Sequence, residues 1–101
     1  MDKSAVIITA KQYLKKISSE IDVKGAYLFG SYAKGNQAED SDIDIAIVIR
    51  DMTNFFSVQM QLMRMRRDID LRIEPHPISD KDFTKNNPFA IEIKETGIQL
   101  V

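Results

Sequence analysis

The sequence predicts a single α/β domain of the α+β kind, and three observations predict it. A chain of 101 residues suffices for one domain and no more. Ile7, Ala10, Leu14, Ile17 and Ile21 recur at spacings of three and four, the period of a helix with one apolar face. Residues 68–74 instead alternate polar and apolar side chains, and residues 42–49 place isoleucine at every second position, the period of a strand. No linker, repeat or low-complexity run divides residues 1–101, so they read as one unit.

The elements follow in order. Asp2 or Ser4 can cap the first helix, whose lysines lie opposite its apolar face, and Gly25 breaks it. Residues 26–29 are short, apolar and aromatic, as in a buried strand, and Gly30-Ser31 ends that run. Small polar residues fill 31–41, which predicts a helical turn after Ser31 and a loop at Gly35-Asn36. In the strand at 42–49, Ile43, Ile45, Ile47 and Ile49 point one way; Asp42, Asp44, Ala46 and Val48 point the other.

Thr53 or Asn54 caps a helix running to about Arg67. It carries one stripe of Phe55, Val58, Leu62 and Met65 and a second of Phe56, Met60 and Met63, an arc wider than packing on a sheet requires. In the next strand Ile69, Leu71 and Ile73 oppose Asp68, Asp70, Arg72 and Glu74, and Pro75 and Pro77 end it. Ser79 to Asp82 starts a short helix, Pro88 opens another that closes at Gly97, and 98–101 forms a last strand or a docked tail.

Composition excludes several classes. With 44% hydrophobic and 29% charged residues, the chain is not a disordered one. Fourteen basic against fifteen acidic residues leave a net charge of −1, which disfavours extended nucleic-acid binding but not one bound nucleotide. The absence of cysteine excludes disulfides, thiolate zinc sites and a thiol nucleophile, and fits a cytoplasmic protein. No apolar run is long enough to span a membrane.

Chemistry concentrates at two places, ten residues apart. Asp42 and Asp44 share a strand face, about 6.5–7 Å apart at Cα. Carboxylates so placed repel unless a cation lies between them, and hard oxygen ligands suit Mg²⁺ or Mn²⁺. Asp68, Asp70 and Glu74 supply candidates for a third acid, which would allow a second metal. Gly30 lets backbone pass close to a phosphate, and Ser31 adds a hydroxyl at the start of a turn whose N–H groups favour an anion. Alone, a Gly-Ser pair is usually a turn, and an Asp-x-Asp is usually a solvated strand end. The combination, each part on a strand boundary, is far more specific.

That combination, within GSYAKGNQAEDSDIDIAIV, resembles the signature of the DNA polymerase beta-like nucleotidyltransferase superfamily, in particular its minimal nucleotidyltransferase branch. The resemblance extends from residue 26 to about residue 77. It implies a mixed β-sheet with helices packed on one face. It implies that Gly30 and Ser31 contact the phosphates of a nucleoside triphosphate, with Lys34 in the same loop as a further nucleotide-binding candidate. It also implies that Asp42, Asp44 and a third acid are catalytic and hold the metals. Ile69-Asp70-Leu71 fits the family's apolar-Asp-apolar pattern best, so Asp70 is taken as the third acid, with Asp68 and Glu74 on the same face as alternatives.

The activity so implied is Mg²⁺-dependent transfer of a nucleoside monophosphate, AMP from ATP, to a hydroxyl. The minimal branch often accompanies a small helical protein of the HEPN type as the antitoxin of a toxin–antitoxin pair. The expected acceptor is therefore a tyrosine of that partner. The competing readings are a non-catalytic antitoxin module and an oligomeric small-molecule (antibiotic-type) nucleotidyltransferase. The apolar second stripe makes a subunit interface, with a partner or with itself, a further expectation. Arg64, Arg66 and Arg67 read as cations at a helix C-terminus. Arg72 reads as either a partner for an acid or a substrate contact. His76, between two prolines, reads as a loop residue without chemistry.

Overall fold

A computed structural model describes all residues 1–101. Its first helix, α1 (Lys3–Ser18), starts where Asp2 Oδ1 accepts from the Ala5 amide at 2.8 Å. Its buried face is Val6, Ala10, Tyr13, Leu14 and Ile17, a run of helical spacings shifted slightly from the expected one. The helix ends at Ser18, well before Gly25. That glycine lies inside β1 (Val23–Phe29), where the pairing register shifts, so the strand begins three residues earlier than expected.

After β1 come the one-turn helix α2 (Ser31–Lys34), β2 (Ile43–Ile49), α3 (Phe55–Met65), β3 (Ile73–Ser79), a 3₁₀ turn η1 (Asp80–Asp82), α4 (Pro88–Thr96) and β4 (Ile98–Gln99). The sheet order is β3-β2-β1-β4. β1 pairs antiparallel with β2 and β4, and β2 pairs parallel with β3, so the sheet is mixed as the resemblance implied. The parallel pair needs a crossover, which α3 provides.

The main core lies on one sheet face, where Ile43, Ile45, Ile47 and Ile49 meet Ala26, Leu28, Ile73 and the buried sides of α1 and α3. Tyr13 ties those two helices together, its hydroxyl donating to the Leu62 carbonyl at 2.7 Å. Asn54 caps α3 by accepting from the Ser57 amide. Asn87 caps α4 by accepting from Phe89 and Ala90. At the end of α4 a Cβ on Gly97 would stand 2.5 Å from the Ile93 carbonyl oxygen and 3.1 Å from that of Leu28, so only glycine lets the chain turn into β4 there.

Pro75 and Pro77 do not end β3; they lie inside it. The Ile43 amide donates to the Arg72 carbonyl, which fixes residues 72, 74, 76 and 78 as those whose backbone faces β2. Residues 73, 75 and 77 face the free edge, where a missing N–H removes nothing from the ladder and blocks pairing with another strand. The carbonyls on that edge are taken by α3: Gln59 donates to Pro75, and Arg66 donates to Ile73 and to Leu71 just ahead of the strand. Arg66 therefore serves the edge of the sheet rather than only its own helix end.

Candidate active site

Register decides which side chains stand abreast on the face opposite the main core. Asp44 on β2 pairs with Glu74 on β3 and with Phe29 on β1, so Glu74, Asp44 and Phe29 form one row. His76, Ala46 and Tyr27 form the next. The 3₁₀ turn and α4 cover the rear of this face: the Phe83 ring stands 5.5 Å from Tyr27, and the Phe89 ring 5.6 Å from Phe29. The acids at the front stay accessible, with Asp44 and Glu74 half-buried and Asp42, just ahead of β2, exposed.

Gly30 connects the two halves of the sequence motif physically. Its φ of 76° and ψ of −151° suit glycine, and a Cβ there would stand 2.5 Å from Asp44 Oδ2. The chain then enters α2, where the Lys34 amide bonds back to the Gly30 carbonyl at 3.1 Å. The amides of Ser31, Tyr32 and Ala33 precede the first intrahelical bond and so have no acceptor within that turn. Gly30 thus brings the start of this turn against the Asp44 carboxylate. Lys34 leans away from it, its Nζ 3.6 Å from Glu92 Oε1 on α4.

The three candidates for a third acid separate. Asp68 is exposed and ion-pairs with Lys16 at 2.9 Å, which holds its carboxyl below the ordinary range. Asp70 does not lie on a strand. The amides of Ile69 and Asp70 both bond back to the Arg66 carbonyl, so residues 66–71 wind into a turn after α3. The alternation at 69–71 is therefore not a pleat, and Leu71 is 65% exposed. Asp70 is committed to Arg72: it accepts from the Arg72 amide at 2.9 Å, from Nε at 3.1 Å and from Nη2 at 2.7 Å. That side-chain bonding holds its carboxyl below the ordinary range. Glu74, in contrast, is the register neighbour of Asp44, with Arg66 Nη1 3.8 Å from its Oε1.

His76 stands in this group too, which its sequence position between prolines concealed. Its ring lies edge-on to Phe29, with centroids 4.9 Å apart, and its Nε2 is 3.1 Å from Asp44 Oδ1. The usable signal was parity: if β3 continues through both prolines, His76 shares the face of Glu74.

No three of the Asp, Glu and His side chains converge into a ready-made metal cage. The donor set nevertheless fits Mg²⁺ or Mn²⁺, because such ions commonly take one or two protein carboxylates and complete their shell with substrate phosphates and water. A Cβ at position 30 would meet Asp44 Oδ2, so glycine is what lets that carboxylate lie against the turn. Neither hollow in the surface encloses these acids. The larger, about 570 Å³, lies between Met52, Phe55, Pro77, Ile78 and Pro88; the smaller is lined by residues that include Lys24, Tyr27, Phe83 and Lys94.

Comparison with known proteins bears on the family and the fold. Two Methanocaldococcus jannaschii proteins, each named as a candidate protein adenylyltransferase, are similar in sequence. One is 30% identical over 98 residues, covering 94% of this chain and 98% of the relative. The other is 34% identical over 67 residues, covering 63% and 66%. Among solved structures, a candidate nucleotidyltransferase from Sulfolobus solfataricus superposes with a TM-score of 0.68 at 22% identity, covering 96% of this chain and 80% of that one. A toxin–antitoxin structure with AMP-PNP superposes with a TM-score of 0.67 at 24% identity, covering 92% and 72%. These two likenesses show the shared fold. The sequence model of the polymerase beta nucleotidyltransferase family matches residues 10–101, a span that takes in the Gly30-Ser31 turn, the Asp42-Ile43-Asp44 strand and all of β3. The chain belongs to the polymerase beta nucleotidyltransferase family.

Proposed function

We propose that this domain is a metal-dependent adenylyltransferase that moves AMP from ATP to a hydroxyl group on a partner protein. The observation that carries the reading is the placement of Asp44 and Glu74 abreast on adjacent strands, with Gly30 against Asp44. In this reading Asp42 and Asp44 hold Mg²⁺ or Mn²⁺. Glu74 rather than Asp70 is the third acid, because Asp70 is already bonded to Arg72.

Gly30 and Ser31 receive the phosphates of ATP. The acceptor oxygen forms a bond to the α-phosphorus as the bond from that phosphorus to the α,β-bridging oxygen breaks, and pyrophosphate leaves. Glu74, on the acceptor side, takes the hydroxyl proton. The metal supplies neutralisation of the phosphate charge and of the departing pyrophosphate. The protein's part is positioning and electrostatics.

An acceptor on another protein is favoured because the acids lie on an open sheet face with no enclosing pocket. A small acceptor would have little to hold it there, whereas a protein partner brings its own wall. The names of the two Methanocaldococcus jannaschii relatives and of the toxin–antitoxin structure support the same choice. We take the partner to be a HEPN-type helical toxin modified on a tyrosine, with both chains in the cytoplasm.

The test is incubation of the purified domain with ATP, Mg²⁺ and the product of the neighbouring gene, followed by intact-mass and peptide mass spectrometry. The expected result is a mass increase of one AMP on a partner hydroxyl, absent with the Asp42→Asn/Asp44→Asn variant. Adenylylation of a free small molecule, with the partner unmodified, would overturn the acceptor assignment.

A further inference from the structure

Asp44 is held from two sides. On one side its Oδ2 lies against Gly30, so closely that no side chain fits between them. On the other its Oδ1 lies 3.1 Å from His76 Nε2. The imidazole is itself located by Phe29, against which it packs edge-on, and Ala46, the residue between His76 and Tyr27 in their row, is small enough to let the ring lie across it. The two oxygens of one carboxylate are therefore not equivalent.

We propose that His76 is a positioning residue whose Nε2–H holds Oδ1 of Asp44, so that Oδ2 is presented to the Gly30-Ser31 turn where the metal-bound triphosphate arrives. This inference rests on the reading of Asp44 as a metal ligand. A carboxylate on a short, freely rotating side chain otherwise samples orientations that point neither oxygen at the phosphates. Fixing it in advance reduces the ordering required when metal and nucleotide bind. Hydrogen bonds that orient metal-ligating carboxylates typically matter by about 10–100-fold in metal affinity or activity. His76 neither touches the reacting atoms in this scheme nor moves a proton; it acts only through Asp44.

The test compares His76→Ala, His76→Gln and His76→Phe. Glutamine places an amide N–H where imidazole has Nε2, keeping the donor. Phenylalanine keeps the packing on Phe29 and removes the donor. Each variant is titrated with Mg²⁺ in the presence of a non-hydrolysable ATP analogue, following melting temperature, and separately assayed for transfer. The expected result is a 10–100-fold higher Mg²⁺ requirement for Ala and Phe, with near wild-type behaviour for Gln and a smaller change in kcat at saturating metal. If Ala fails to fold, Phe against Gln decides by itself. Equal Mg²⁺ requirements in wild type and Phe, tighter metal binding in Ala or Phe, or equal impairment of Gln and Phe would each overturn the role. A wild-type chain with no metal-dependent response to nucleotide would instead overturn the reading of the site, and this inference with it.

Discussion

Gly30 meets two demands at once: a positive φ and the absence of a Cβ beside Asp44. Gly30→Ala therefore strains the backbone and drives a methyl group into the carboxylate. The expected loss is about 1–3 kcal/mol of stability from the backbone strain alone, measured by urea denaturation, together with loss of nucleotide binding. The acids make a separate prediction. Mg²⁺ with nucleotide should stabilise the wild type by about 2.7 kcal/mol at a hundredfold excess over Kd. Asp42→Asn/Asp44→Asn should abolish that shift while leaving the metal-free chain about as stable, since like charge beside Glu74 is removed. Glu74→Gln should stop transfer; Asp70→Asn should leave it largely intact. The reverse outcome in a mass-spectrometric transfer assay would return the third-acid role to Asp70.

Asp70 has its own signature, in pH rather than activity. Arg72 holds its folded pKa below the ordinary value of 3.8. The stability it contributes is thus fully present above that value and is lost as pH falls through the depressed folded pKa. The difference in melting temperature between wild type and Asp70→Asn should be constant from pH 5 to 7 and shrink only in more acid solution. A difference that vanished already near neutrality would contradict the Asp70–Arg72 fork.

Among the elements, β3 decides most about the site, and α3 decides most about β3. The strand is an edge, the backbone nitrogens of its buried prolines lie on the free side, and Gln59 and Arg66 occupy its free carbonyls. Glu74 and His76 stand where they do because this strand keeps register with β2 from Ile73 to Ser79. Arg66→Met keeps the helix propensity and length but removes the donors to Leu71 and Ile73. A loss of about 1.5–3 kcal/mol is expected, the range for hydrogen bonds from a charged group, with weaker metal–nucleotide binding as β3 loosens. An unchanged urea midpoint would show that the edge needs no such cap.

On the scale of the molecule, two kinds of surface stand out. The acid row is open, and the N-terminal half of α3 leaves Phe55, Phe56 and Met60 exposed at 57%, 72% and 44%. Of the expected second stripe, Met63 is half-buried and turned toward the protein, so the exposed apolar patch lies nearer the start of the helix. Contiguous apolar surface of this kind normally marks association. Phe56→Ser/Met60→Lys should lower association in sedimentation, with itself or with the partner, and leave the metal–nucleotide shift unchanged. No helix is long and apolar enough to cross a membrane, so a bilayer-spanning helix does not account for the patch.

Much of this protein was determined by the sequence alone. The Ile43 to Ile49 alternation requires one buried strand face and so places Asp44 on the other, because a pleat has a period of two. The Gly30-Ser31 and Asp42-Ile43-Asp44 pair carried the family, and helix periodicity located α1 and α3 within a few residues. What local pattern could not decide was where β3 begins. Ile69-Asp70-Leu71 alternates as well as a strand does, but bonds from Ile69 and Asp70 to the Arg66 carbonyl wind it into a turn. Likewise Pro75 and Pro77 end a strand only if their N–H positions are needed for pairing, and parity against β2 shows that they are not. Tertiary structure alone therefore brought Glu74 and His76 beside Asp44. Strand neighbours are chosen by backbone hydrogen bonds between segments some thirty residues apart, and no local period records that pairing.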